Sequence, residues 1–298
     1  MESQKTKFWE KKPVFFITTF IWTGIILILG STVSGIITLS SKSLTDDLAL
    51  TAIEYINFIG IWIVAFLSVG LFKSNRPILK AFGTKAKGNN LWGMLIGLVI
   101  GGGMNLICAF SAMGNKDISV RFNRFDIIPV IILFICVMIQ SGAEELVMRF
   151  FVYQRLRKVF KNPWIPIVAN AMIFAILHIP NDGATVLSTT NVLLVGIMYS
   201  VMVCYFDSLW MAIMAHAAWN FTQSIALGLP NSGLVVPYSI FKLDTAAATD
   251  SFVYNVGFGL EGTVLCTALH VIVIVALVLV GKKRNAPALN VWEEINEE

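Results

Sequence analysis

Two glutamates and an arginine interrupt an apolar segment of this 298-residue chain. The stretch SGAEELVMRFF, residues 141–151, follows the run IIPVIILFICVMIQ and contains Glu144, Glu145 and Arg149. A charged side chain at the centre of a bilayer costs about 2.5 to 3.5 kcal/mol, so three of them would cost about 9 kcal/mol if they faced lipid unpaired. We therefore expect Glu144, Glu145 and Arg149 to face protein or a water-filled cavity.

The spacing of the three residues suggests how their roles divide. Glu145 and Arg149 are four residues apart, with the acid first, which is the favourable order for an ion pair on one helix face. Glu144 is turned about 100° away from Glu145, so it is free to remain an unpaired carboxylate and to act as a general base. The alternative is structural: all three residues tie the helix to its neighbours or reach water near a membrane surface.

Two of the three histidines lie in apolar segments with suggestive neighbours. Phe174 and His178 are four apart in FAILHIPN, and His216 and Asn220 are four apart in MAHAAWNF, so each pair shares a helix face. A buried imidazole or amide needs a hydrogen-bonding partner. We expect these side chains to meet Glu144 in one polar centre. Simple counting along the helices conflicts with this, because it puts Glu144 toward the cytoplasmic side and His178 toward the outer side, unless the helix of His178 is short or tilted.

Such a centre has the groups that peptide hydrolysis requires. A carboxylate takes a proton from water, a histidine shares that proton or donates it to a leaving amine, and a second histidine with an asparagine amide stabilises an oxyanion. Glu144, His178 and His216 could instead hold Zn²⁺ with one open position, although HExxH is absent. A serine nucleophile is disfavoured because no GxSxG surrounds Ser141. The run Gly101–Gly103 suits tight helix packing.

The composition is that of a membrane protein: 56% of the residues are hydrophobic and 13% are charged, against about 25% charged residues in soluble domains. A helix of about 20 apolar residues crosses a bilayer. The sequence therefore predicts an all-α, polytopic membrane helix bundle, a single membrane domain over residues 1–298 with about eight transmembrane helices. The eight predicted spans are residues 14–40, 52–72, 91–113, 127–154, 164–181, 188–206, 208–229 and 259–281.

The basic residues are distributed unevenly over the predicted connections. Sixteen lysines and arginines lie on the side of the two termini and five on the opposite side. This asymmetry predicts an integral multi-pass protein of the cell membrane with both termini in the cytoplasm. It also explains the net charge of +4 without a nucleic-acid partner. Residues 282–298 are predicted to form a cytoplasmic tail, of which the stretch NAPALNVWEEINEE is acidic and solvated.

In their order, the motifs Glu144-Glu145-x-x-x-Arg149, Phe174-x-x-x-His178 and His216-x-x-x-Asn220 resemble the signature of the CAAX-protease and bacteriocin-processing family of intramembrane endopeptidases. The resemblance covers about residues 125–225. It implies that Glu144 and His178 activate water, that His216 and Asn220 form the oxyanion site, and that Glu145, Arg149 and Phe174 support them. Members are often labelled metalloproteases, so zinc or another divalent metal is implied, with Glu144, His178 and His216 as ligands; a metal-free glutamate mechanism is the alternative. One departure is Gly196-x-x-x-Ser200, where the family commonly has a glycine pair.

These observations predict a membrane-embedded hydrolase, an intramembrane protease. Its substrate would be a peptide or protein C-terminus, lipidated or not, cleaved in CAAX-type or bacteriocin-type processing, with a role in bacteriocin immunity as one variant. An ion or proton transporter is the first alternative, and it predicts polar residues that continue across the bilayer. A non-catalytic immunity protein that binds a peptide is the second, and it has no need of the full set of acid, histidines and asparagine.

Overall fold

The chain folds into helices at all eight positions where hydropathy predicts them. This computed structural model describes residues 12–39, 44–284, 288 and 290–293. In chain order its main elements are α1 (Lys12–Ile37), α2 (Asp47–Ile56), α3 (Ile59–Gly70), α4 (Leu91–Gly114), β1 (Val120–Phe122), α5 (Ile127–Glu145), α6 (Gln154–Val159), α7 (Trp164–Leu177), α8 (Val186–Phe206), α9 (Leu209–Asn220), β2 (Phe241–Leu243) and α10 (Val264–Arg284). A π-helical segment, Leu146–Tyr153, joins α5 to α6, and another, Phe221–Ala226, follows α9.

Six helical segments of the described chain are long and apolar enough to cross a membrane by length and composition. These are Lys12–Ile37, Asp47–Gly70, Leu91–Gly114, Ile127–Val159, Val186–Phe206 and Val264–Arg284. The helix Trp164–Leu177 is apolar but shorter. The predicted all-α, polytopic membrane bundle is thereby confirmed, and the protein is an integral membrane protein.

Several predicted boundaries were wrong by up to a helical turn or more. The second span, 52–72, begins earlier, at Asp47, and is divided between α2 and α3 at Asn57 and Phe58. The fourth, 127–154, continues to Val159, because the polar helix α6 extends the helical segment beyond the end of the apolar run. The fifth, 164–181, stops at Leu177.

The first and last spans also differ from the prediction. The first, 14–40, ends at Ile37, and residue 40 lies outside the described residues. The last, 259–281, begins at Val264, because the turn Leu260–Gly262 precedes it as a 3₁₀-helix.

Helix α9 lies at the centre of the bundle, with all of its side chains buried except that of Trp210, which is partly exposed. It packs most extensively on α4, whose Gly97 and Gly101 lie against the α9 backbone. A Cβ atom at Gly101 would collide with the carbonyl oxygen of Ala215. The tight packing predicted for the glycine run is therefore present at Gly101, whereas Gly103 faces open space.

The periphery of the bundle is apolar and exposed, as expected of a surface in lipid. In the most apolar part of α10 only 22% of the residues are buried. At the end of the bundle opposite the termini, β1 and β2 form an antiparallel two-stranded ribbon, with Phe122 opposite Phe241. This ribbon ties the connection before α5 to the long connection after α9. The sequence did not predict it, because each strand has only three residues.

The C-terminal tail is partly packed, so the predicted solvation of residues 285–298 was wrong for Val291 and Trp292. Lys282, Lys283 and Arg284 belong to α10. Val291 is buried, and the indole nitrogen of Trp292 donates to the carbonyl oxygen of Gln154 at 2.8 Å. The apolar side chain and the indole of the acidic tail hold it against the first turn of α6.

Candidate active site

One cavity of about 340 Å³ collects the candidate residues of all three motifs. Glu144 from α5, His178 from the end of α7, and His216 and Asn220 from α9 all line it. Phe174 lies in its wall. The polar centre expected from the sequence is therefore formed, although its members are up to 76 positions apart in the sequence.

The unequal lengths of two helices bring Glu144 and His178 to one cavity. The helical segment from Ile127 to Val159 has 33 residues, so Glu144 lies near its middle rather than toward one end. Helix α7 has 14 residues and spans about 21 Å, which is less than the hydrocarbon thickness of about 30 Å. His178, at its C-terminal cap, consequently stays within the depth of the membrane, and the conflict in depth disappears.

Glu144 is the least constrained carboxylate of the motif. Its Oε1 accepts a hydrogen bond of 2.6 Å from Nε2 of Gln140, one helical turn earlier. Its Oε2 accepts no hydrogen bond from the described residues, and lies 3.7 Å from Nε2 of His216. The side chain is 20% exposed. One oxygen is thus held by the protein, while the other is buried and has no hydrogen-bond partner among the described residues.

Glu145 and Arg149 form the predicted ion pair, fully buried, with 2.9 Å between Oε1 and Nη1. The guanidinium also donates from Nη2 to the carbonyl oxygen of Gly196 at 2.8 Å and contacts Oγ of Ser200 at 3.4 Å. It lies over the ring of Phe174, 4.9 Å from the centroid. The glycine pair expected in the family is replaced here by a serine that itself contacts the buried arginine.

Glu145 also binds His216, and the sequence did not predict this contact. Oε1 of Glu145 lies 3.0 Å from Nδ1 of His216. Because a carboxylate accepts hydrogen bonds, Nδ1 carries the proton, and Nε2 faces Glu144. The ring of Tyr199 stacks on the imidazole at 5.3 Å. His216 therefore has a fixed orientation, set by an acid on one side and an aromatic ring on its face.

His178 is fixed through its own helix. Its Nδ1 lies 2.8 Å from the carbonyl oxygen of Phe174, and a carbonyl oxygen only accepts, so Nδ1 is the donor. The other nitrogen, Nε2, is left for the cavity. The rings of Phe174 and His178 are 4.5 Å apart, which explains why the motif pairs these residue types at a spacing of four.

Asn220 connects α9 to α5 and to the loop that follows α9. Its Nδ2 donates to Oε1 of Gln140 at 3.0 Å and to Oγ of Ser141 at 3.2 Å. Its Oδ1 accepts from Nδ2 of Asn231 at 3.1 Å, which fixes the amide orientation. Both amide hydrogens are thus used within the protein, so donation to an oxyanion requires one of these bonds to be exchanged for the substrate.

Both helices that carry the central motifs change their winding next to the site. Leu146–Tyr153 begins directly after Glu145, and Phe221–Ala226 begins directly after Asn220. A π-helical turn contains one extra residue and re-aims the side chains around it, and such turns occur frequently at functional sites. One regular α-helix ends at Glu145 and another ends at Asn220. The direction of the site side chains is therefore independent of the direction of the helical segments that follow.

A second, smaller cavity of about 40 Å³ adjoins His216 and is lined by Glu261 and His270. Glu261 is buried and accepts from Nε1 of Trp219 at 3.0 Å and from Nε2 of Gln223 at 2.6 Å. Burial raises the pKa of Glu261, and the two hydrogen bonds lower it in part. This carboxyl group anchors α9 to the segment before α10.

The candidate metal ligands of the site are Glu144, His178 and His216. A catalytic zinc site has three protein ligands about 2 Å from the ion. Within the described part of the chain no three histidine, cysteine, aspartate or glutamate side chains converge in that way. Nδ1 of His216 is held by Glu145 and Nδ1 of His178 by a carbonyl group, so Nε2 of both histidines is left toward the cavity. Metal binding by Glu144, His178 and His216 therefore stays a prediction.

Several residues of the site escaped the sequence reasoning. Gln140 lies one turn before Glu144 on the same helix face, so the spacing of four could have identified it. Tyr199, Asn231 and Glu54 come from distant segments that carry no motif, and only the fold brings them to the site. Ser141, rejected as a nucleophile, instead accepts a hydrogen bond from Asn220.

Comparison with known proteins gives one match. The sequence model of a family described as Rce1-like, type II CAAX prenyl endopeptidase, matches residues 126–222. Neither the curated proteins nor the solved structures contain a match to the chain. The matched segment runs from the start of α5 through Asn220, so it contains every motif residue that carried the resemblance. Over residues 126–222 the chain is thus similar to the family of type II CAAX prenyl endopeptidases.

Proposed function

We propose that this chain is an intramembrane endopeptidase in which Glu144 activates the attacking water. The observation that carries the proposal is the convergence of Glu144, His178, His216 and Asn220 on one cavity inside the bundle. The matching family model is that of a type II CAAX prenyl endopeptidase, and Oε2 of Glu144 has no hydrogen-bond partner among the described residues.

In the proposed reaction, a water molecule beside Oε2 of Glu144 gives a proton to the carboxylate while its oxygen attacks the carbonyl carbon of the scissile peptide bond. His178 accepts a hydrogen bond from the same water through Nε2 and orients it. The tetrahedral intermediate then collapses, the C–N bond breaks, and Glu144 returns the proton to the leaving amine. One water is consumed, and an acid and an amine are formed.

The negative charge that develops on the carbonyl oxygen of the substrate must be stabilised by a hydrogen-bond donor. His216 supplies it from Nε2 when that nitrogen is protonated, since Glu145 holds the ring from the Nδ1 side. Asn220 supplies a second donor by exchanging its bond to Gln140 or Ser141 for the substrate. Glu145, Arg149 and Phe174 act as positioning residues. All of these steps use only side chains of the chain itself.

The transport alternative is less well supported by the polar groups beyond the site. On the far side of Glu145 lie Arg149, Ser200 and Asn170, which are buried and hydrogen-bonded to their neighbours. None of them lines either cavity at the site. A pump or channel needs a polar path on both sides of its central site. Here the polar residues on one side are hydrogen-bonded to their neighbours and line no cavity at the site.

We further propose that the termini face the cytoplasm and that substrate enters from the opposite side. Thirteen described lysines and arginines lie at the end of the bundle that holds the termini, and four lie at the other end. The cavity is lined by Asn181, Asn231 and Leu234, all in connections at the end away from the termini. By the positive-inside rule this is the outer side of the membrane.

The lining also limits the substrate. Apart from its polar centre, the cavity wall is largely apolar, with Leu27, Phe58, Val147, Met148 and Leu177 among its members. Such a wall accommodates apolar peptide side chains or a lipid group attached to the peptide. We propose a peptide or protein C-terminal substrate, and the lipid requirement is an outcome of the assay below.

The test is cleavage of fluorogenic peptides, with and without a prenyl group, by the purified protein and its Glu144→Gln variant. Glutamine keeps an oxygen that accepts from Gln140 but cannot take a proton from water. We expect the rate to fall by about 10²-fold or more, as for loss of a general base. Thermal unfolding is expected to stay unchanged. Adding a chelator is expected to leave the wild-type rate unaltered.

Glu293→Gln is the matched control, because it makes the same chemical change at an exposed position of the tail. It is expected to cleave at the wild-type rate. Cleavage by Glu144→Gln at the rate of this control would refute Glu144 as the general base. Loss of activity with chelator, restored by Zn²⁺, would replace the metal-free mechanism with a metal-dependent one.

A further inference from the structure

Glu54 is the second carboxylate of the active-site cavity, and no motif predicted it. It lies on α2, which packs along α5, and its side chain lines the same wall as Glu144 and His178. Simple counting along the sequence puts it near the end of a span, where a glutamate is solvated without further role. The structure instead has it facing the cavity, one residue before Tyr55, whose ring is also part of the lining.

Glu54 has no side-chain partner among the residues that the structure describes. Its neighbours on α2 are engaged: Asp47 pairs with Arg124 at 3.2 Å, and the hydroxyl of Thr51 accepts from the backbone nitrogen of Tyr238 at 2.9 Å. By contrast, no ion pair or side-chain hydrogen bond among the described residues includes Glu54. Its side chain is exposed, so the carboxylate is accessible from the cavity rather than sequestered.

The charges around the cavity are of one sign. Among the described residues that line it, Glu54 and Glu144 are acidic, His178 and His216 are the basic-type groups, and no lysine or arginine is present. Glutamates in a cleft with low-dielectric walls focus a negative potential. This potential attracts a cationic side chain and repels an anionic one, and it acts before any contact is made.

On the basis of the proposed protease function, we infer that Glu54 determines substrate specificity by pairing with a lysine or arginine side chain of the peptide. The basic side chain forms a charge-assisted hydrogen bond with Glu54 while the scissile bond lies at Glu144. The substrate class is therefore a basic peptide rather than an acidic one. An ion pair with an exposed carboxylate contributes about 0.2 to 1 kcal/mol, so the preference over a neutral side chain is at most about fivefold.

The experiment compares peptides that are identical except for one scanned position, occupied by lysine, glutamine or glutamate. Both kcat/KM and the Kd of labelled peptides are measured for the wild type, Glu54→Gln and Glu54→Lys. We expect the wild type to prefer lysine over glutamine at one position by up to about fivefold. Glu54→Gln is expected to abolish this preference, and Glu54→Lys to reverse it in favour of glutamate.

Asp244→Lys is the control, because Asp244 is an exposed carboxylate of the same membrane side that does not line the cavity. The preference for lysine is expected to persist in this variant. An equal loss in Asp244→Lys and Glu54→Lys, or equal affinity of all three peptides for wild type and Glu54→Lys, would overturn the inference. The binding measurement separates the two proposals: if nothing is cleaved but lysine peptides still bind through Glu54, the protease proposal alone fails.

Discussion

Removing the positive charge of Arg149 should destabilise the protein more than any exposed charge change. The guanidinium is fully buried, pairs with Glu145 at 2.9 Å and donates to Gly196 O at 2.8 Å. Arg149→Met keeps an unbranched side chain between the same neighbours but leaves the carboxylate of Glu145 without its counter-ion. The carbonyl oxygen of Gly196 retains the hydroxyl of Ser200 as a donor at 2.8 Å, so it adds little to the loss.

Breaking a buried ion pair by removing one partner costs about 3 to 5 kcal/mol, because the remaining charge stays buried and unpaired. We expect Arg149→Met to lower the free energy of unfolding by this amount. The double variant Glu145→Gln/Arg149→Met removes both charges, so it should be less destabilised than the sum of the two single variants. The expected interaction energy is about 1 to 3 kcal/mol.

The assay is reversible unfolding in mixed micelles, followed by circular dichroism, for the wild type, both single variants and the double variant. Arg124→Met is the matched control, since its pair with Asp47 is 38% and 39% exposed and should contribute less than about 1 kcal/mol. If Arg149→Met costs no more than Arg124→Met, or if the two single variants are additive, the buried pair does not stabilise the site as argued here.

Two further predictions concern packing and orientation. Gly101→Ala should destabilise the protein and reduce activity, because the added methyl group collides with the backbone of α9. Gly103 faces open space, so Gly103→Ala should be neutral or stabilising by up to about 1 kcal/mol. Equal free energies of unfolding for the two variants would contradict the close packing of α4 on α9. The orientation is tested in a Cys204→Ser background, whose other cysteines are buried. Leu234→Cys should react with a membrane-impermeant thiol reagent in intact cells, and Lys283→Cys should react only in inverted vesicles. The reverse pattern would refute cytoplasmic termini.

The sequence was sufficient for the class of protein and for the members of the centre. A composition with few charges and long apolar runs has only one stable solution in a bilayer, a bundle of helices whose backbone groups are bonded internally. Charged side chains within such runs are costly, so Glu144, Glu145 and Arg149 stood out from the sequence alone. The spacing of four also predicted the ion pair of Glu145 with Arg149, because contacts within one helix depend only on its geometry.

What the sequence could not determine depends on how helices meet. The π-helical turns after Glu145 and Asn220, the early end of α7 at Leu177 and the break between α2 and α3 arise where local preference gives way to packing. These features bring His178 to the depth of Glu144. No periodicity within a single helix encodes the relative depth of two.

The partners of the site also came from tertiary structure. Glu145 bonds His216 across 71 positions of sequence, and Glu54 shares a cavity with Glu144 from 90 positions away. A sequence pattern describes which side chains share a face of one helix, because the helix period is fixed. Which face meets which, and which carboxylate is left without a partner, is decided only when the apolar and small-residue surfaces of all the helices pack together.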